Sequence, residues 1–178
     1  MKLLDSWKEF AEMVDRHFSF LENEFGYTKT SDSEPRVVYQ SMSTRVVIFY
    51  EPHGRWDLDI RIEPQQPSAY GNFSLGSWQF ECLHRLDWGA VKATIPTHDV
   101  NEFESILREE ATRLRNHCST VLKGNFDDVG RLQTLQKEFE TRFTMDYQRV
   151  NRGKGYPQMV DDLMNQIIKE QNWEKLPN

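Results

Sequence analysis

Asp57 and Asp59 stand two positions apart. Side chains alternate along an extended strand, so both carboxylates fall on one face. Neighbouring carboxylates are the equipment of a metal site or of acid–base catalysis. Arg61 and Glu63 continue the same face, and no companion base for a catalytic pair can be named. The preferred reading is the solvated or partner-facing side of a sheet, because charged side chains stay mostly at the surface. Just ahead, His53 and Arg55 flank Gly54 and lead into Trp56. Such a tip is an ordinary hairpin turn, and it is also where binding residues collect when a scaffold holds a loop. The candidate binding set is therefore His53, Arg55, Trp56, Asp57, Asp59 and Arg61, with no catalytic residue assigned.

Cys82, His84, His117 and Cys118 supply two sulfurs and two imidazoles, the ligand types of tetrahedral zinc. Their spacing matches no finger or ribbon. Adjacent helix positions such as 117 and 118 diverge by about 100°, which keeps them from sharing one ion. Cys118 also falls on an apolar stripe, where a free cysteine acts as a small hydrophobe. Gly153-Lys154-Gly155 lacks the spacing of a phosphate loop. No Gly-x-Ser-x-Gly, dinucleotide fingerprint or His-Glu-x-x-His occurs. Neither a metal nor a cofactor is expected.

The elements that must position these residues are a small sheet and several helices. Trp56, Leu58, Ile60 and Ile62 alternate with Asp57, Asp59, Arg61 and Glu63, a strand with one dry and one wet side. Arg45-Val46-Val47-Ile48-Phe49-Tyr50 does not alternate, which predicts a central strand covered on both faces. With Val37–Ser41, these runs make an antiparallel meander over 37–63, and Phe73–Leu75 is a candidate fourth strand. Residues 27–35 and 64–68 read as loops, and Ser77–Leu86 reads as a short helix.

Ahead of the sheet, Trp7, Phe10, Ala11, Val14, Phe18, Leu21 and Phe25 predict one amphipathic helix over 6–25. Gly26 follows as its left-handed stop. Beyond the sheet, Val100 to Val121 predicts a long helix capped by Asp99, and a short link leads to an antiparallel neighbour over 127–143. Pro157 opens a last helix. The fold class is α+β, with residues 1–98 forming helix plus sheet and 99–178 the helical part of one domain.

Two cysteines are too few for a disulfide framework and suit a reducing compartment. Met1–Asp5 has no long apolar core, and no apolar run approaches the span of a membrane helix, so a cytoplasmic location is expected. Twenty-two basic against twenty-eight acidic side chains leave a net charge of −6. That disfavours nucleic acid as a general partner and favours a basic protein instead. The basic loop Arg149–Lys154 is the one local exception. Five tryptophans, eleven phenylalanines and six tyrosines are many for so hydrophilic a chain, and those outside the apolar stripes either form a partner patch or finish a core made from short elements.

The runs Phe20-Leu-Glu-Asn-Glu-Phe-Gly26-Tyr27, Val38-Tyr39-Gln-Ser41, Val46–Tyr50 and Trp56–Ile62 carry a resemblance over the first third of the chain. This part resembles a class of small bacterial α+β proteins, several of them similar to immunity proteins of polymorphic toxin systems. The resemblance implies a helix followed by a three-stranded meander, and it brings no catalytic residues. The leading expectation is a non-enzymatic protein-binding module, in its finer form an immunity-type inhibitor. The alternative is a small-ligand binder or hydrolase-like enzyme, with a pocket on the polar sheet face built from Asp57, Asp59, Arg61 and His53.

Overall fold

A computed structural model describes residues 7–33, 36–51, 57–66, 68–88, 99–143 and 156–173. The order is α1 (Trp7–Phe18), α2 (Phe20–Phe25), β1 (Thr28–Ser33), β2 (Arg36–Gln40), β3 (Thr44–Glu51), β4 (Asp57–Pro64) and β5 (Leu75–Gly76). The helices α3 (Ser77–Arg85), α4 (Val100–His117), α5 (Ser119–Leu122), α6 (Asp127–Arg142) and α7 (Tyr156–Glu170) follow. The five strands form one antiparallel sheet in sequence order, and the helices pack on it, as α+β patterning requires.

The central three strands lie within a residue of the predicted ones, because their alternation leaves only one register that buries a complete face. Val37, Ile48 and Ile60 form one cross-strand row, and Tyr39, Val46 and Ile62 form the next. All six are buried and belong to the same core cluster as the helix residues Phe10, Phe18, Leu83, Phe103, Leu114 and Ile167.

Three expectations are corrected. The single first helix breaks at Ser19, whose carbonyl accepts the N–H groups of Glu22 and Asn23 at 3.1 and 3.0 Å to begin α2. Residues 28–33, read as loop, pair with β2 as an edge strand, bulged between Lys29 and Ser31. Among the described residues the central strand is packed by the core on one face only: Val46, Ile48 and Tyr50 are buried, whereas Val47 and Phe49 are partly buried and outside the core cluster.

Two caps follow the sequence, whereas the long helix and its expected antiparallel neighbour depart from it. Gly26 takes φ 70°, a left-handed conformation that glycine adopts without steric penalty. Asp99 caps α4 by accepting from the N–H groups of Asn101 and Glu102. The long helix ends at His117, and Cys118 starts the short α5 that turns the chain. As a result α6 packs on α3, α5 and α7 instead of running beside α4. Tyr27 locks the bottom of the sheet: its buried hydroxyl pairs with Thr44 and donates to the Leu122 carbonyl at 3.1 Å.

Candidate functional site

The sheet face that no described element covers is built by the residues opposite the core rows. Cross-strand pairing sets Arg36, Phe49 and Asp59 in one row, Val38, Val47 and Arg61 in a second, and Gln40, Arg45 and Glu63 in a third. Val38, Val47 and Phe49 are half-buried, and none of them packs against the core cluster. Charged pairs border these apolar residues. Arg45 Nε donates to Glu63 at 2.6 Å, and the Arg61 guanidinium donates to the Asp59 carboxylate. That bond, with the charge of Asp59, raises the Arg61 pKa above its ordinary value. Arg36 has no acidic partner among the described residues.

Of the candidate binding set, Asp59 and Arg61 therefore stand on this face and satisfy one another, and Asp57 lies at its end, paired in register with Glu51. His53, Arg55 and Trp56 lie outside the described residues, as does the Arg149–Lys154 loop. Beyond Gln40, the turn into β3 carries Met42, which is 99% exposed. Gln40, Ser41, Met42, Gln65 and Gln66 line a groove of about 450 Å³ there, joined by Gly26, Thr28 and Thr30. Among the described residues no charged side chain lines it.

A second polar constellation lies buried between α3 and α4. Arg113, only 6% exposed at its side chain, donates Nε to Glu81 at 2.6 Å and Nη2 to Glu109 at 3.0 Å. Its Nη1 donates to Glu110, and Ser77 Oγ donates to the same carboxylate at 2.7 Å. Arg85 joins Glu81 from the next turn of α3. Burial pushes the Glu81 carboxyl up, but the Arg113 bond and the charges of Arg113 and Arg85 outweigh it and hold it below its ordinary range.

His84 Nε2 lies 3.2 Å from Asp128, which also accepts from Thr120 Oγ1 at 3.0 Å. Burial raises the Asp128 carboxyl, and these two bonds bring it below its ordinary value. Cys82 turns its thiol to the Trp88 carbonyl, and burial drives the Cys118 thiol well above its ordinary pKa, so Cys118 supplies no ready thiolate. Among the described residues no group of three or more His, Cys, Asp or Glu is placed to hold a metal ion. Nor is any described helix long and apolar enough to cross a membrane.

The sheet and this constellation meet at a cavity of about 130 Å³ lined by Leu58, Asp59, Ile60, Gly76, Ser77, Trp78, Ile106, Glu110 and Arg113. Among the described residues it takes only Asp59 from the candidate set. Small-molecule sites run from about 300 to 1,000 Å³, and the polar groups converging here already bond one another. Its size and saturation favour a structural seam over a ligand pocket.

Comparison with protein-family models, curated proteins and solved structures finds no match.

Sequence reasoning missed the buried seam although a signal was present. Ser77, Glu81 and His84 recur at i, i+4 and i+7 on α3, and Glu110, Arg113 and His117 at i, i+3 and i+7 on α4. Those are helix-face spacings, and two polar stripes on packed helices, with Arg113 of one facing Glu81 of the other, form a seam. The uncovered face was legible through Asp59, Arg61 and Glu63, while its apolar centre at Val47 and Phe49 was assigned to the core.

Proposed function

We propose that this chain is a protein-binding module whose partner docks on the uncovered face of the sheet. The observation that carries the reading is the row structure of that face. Val38, Val47 and Phe49 form an apolar centre that no described element covers, inside a rim of Arg36, Arg45, Asp59, Arg61 and Glu63. An apolar centre inside a charged rim is the usual anatomy of a protein interface. The rim pairs Arg45–Glu63 and Arg61–Asp59 are already neutralised, so a partner covers them without stranding a lone charge. Met42, fully in solvent at the adjoining turn, adds an adaptable apolar contact. The net charge of −6 selects a basic protein at long range. The finer reading, an immunity-type inhibitor of a toxin in a bacterial cytoplasm, rests on the resemblance of the first third of the chain.

The test is affinity purification of the tagged full chain from its native cells at low and moderate salt, run beside Phe49→Lys. One stoichiometric partner is expected with the native chain. Phe49→Lys should lose it while unfolding within about 1 kcal/mol of the native chain, since Phe49 is half-exposed. Equal capture by both chains, or a solitary protein at every salt, overturns the reading.

A further inference from the structure

Two imidazoles meet where α3, α4 and α6 converge. The rings of His84 and His117 lie edge to face, with centroids 5.6 Å apart. Their Nε2 atoms face carboxylates, Asp128 at 3.2 Å from His84 and Glu81 at 3.9 Å from His117. For His84 the hydrogen-bonded Asp128 carboxylate favours the ring proton on Nε2 and leaves Nδ1 as a bare lone pair, whereas Glu81 stands beyond hydrogen-bond reach of His117 and acts on it through its charge. Both Nδ1 atoms are buried with no hydrogen-bond partner. Buried polar atoms normally have one, so this pair of exceptions needs an account. A metal does not provide it, since no third ligand stands beside the two rings among the described residues.

A protonated His117 carries N–H on both ring nitrogens, so its buried Nδ1–H has nothing to receive it, and it adds a positive charge beside a groove that Arg85, Arg108 and Arg113 also line. The groups around the pair are Glu81 and Arg85 from α3, Arg108, Glu109, Glu110 and Arg113 from α4, the Thr120 hydroxyl from α5, and Asp128 and Arg131 from α6. We infer that the His84–His117 pair is a proton-sensitive latch, closing the α3–α4–α6 junction while His117 is neutral and loosening it when His117 takes a proton. Burial, with the charges of His84, Arg85 and Arg113, depresses the His117 pKa despite the opposing pull of Glu81.

The direction of the effect follows. The unfolded chain binds this proton near the ordinary histidine value of about 6.5, and the folded chain binds it only lower. Below about pH 6.5 the unfolded state therefore holds more protons, and folding stability falls with pH. A full proton of difference is about tenfold in the folding constant per pH unit. Glu81 and Asp128, depressed carboxylates, withdraw their contribution only below about pH 4, which keeps the two effects apart.

The experiment is urea unfolding of the full chain from about pH 7.5 to 5.0, beside His117→Gln, whose side chain stays neutral throughout. The native folding constant should fall by up to about tenfold per unit below pH 6.5, and His117→Gln should lack that part of the slope. Identical slopes, or a flat native profile, overturn the latch. A site-resolved NMR titration of the native chain gives a second reading that does not depend on the variant folding. His117 should titrate below the ordinary histidine range, with the amides of α3, α4 and α6 shifting alongside it. A titration at or above that range refutes the proposal.

Discussion

Arg113 is the residue whose surroundings leave it least freedom. Its guanidinium meets Glu81, Glu109 and Glu110, and its planar fork suits several carboxylates at once in a way an ammonium does not. Burial opposes its charge, yet Glu110 and Glu81 hold its pKa above the ordinary arginine value. Arg113→Met should cost about 3–5 kcal/mol in urea unfolding, because Glu110 and Glu81 would stay buried without their main cation. A loss below about 1 kcal/mol would show that water replaces the guanidinium there. In the sequence this arginine looks like any surface charge between Thr112 and Leu114. Its burial depends on α3 crossing α4, a long-range fact that composition cannot carry. The imidazoles are a similar case. His84 and His117 are visible as residue types, but only the helix packing makes them neighbours.

Among the elements, β3 gives the sharpest contrast. Ile48 points into the core at 0% exposure, and Val47, one residue earlier, points to the open face. Ile48→Asp should fail to fold, since it buries a charge with no partner. Val47→Asp should give a cooperatively folded protein within about 1 kcal/mol of the native one, by circular dichroism and urea unfolding. The residues of β3 could not disclose this difference, because valine and phenylalanine look equally at home in a covered strand and in an uncovered one awaiting a partner. β4 could, because its charges alternate. The remaining errors have similar causes. Thr28–Ser33 is too polar to show periodicity, and the stripe from Phe10 to Leu21 continues across Ser19, so nothing in its spacing announces the break. The caps at Gly26 and Asp99 were legible because each is a local hydrogen-bonding or conformational requirement.

At the scale of the whole molecule, charge and contact separate. The described side chains of the open face include Arg36, Arg45 and Arg61 against Asp59 and Glu63, so these contribute nothing to the excess behind the net charge of −6. The long-range field should set how fast a basic partner arrives, and the apolar centre should set how long it stays. Raising salt from about 0.05 to 0.5 M should therefore slow association by tenfold or more and leave dissociation nearly unchanged, as read by stopped-flow mixing. A rate that rises with salt would identify an acidic partner. The sheet's margins bear on how such a partner can approach. Its outer strand, β1, reads Thr-Lys-Thr-Ser-Asp-Ser and is bulged between Lys29 and Ser31. A bare strand edge templates aggregation, whereas a polar, kinked one refuses an added strand. On that side copies of this chain cannot zip into a continuous fibre-like ribbon, so an apolar face can stay open to water without seeding one.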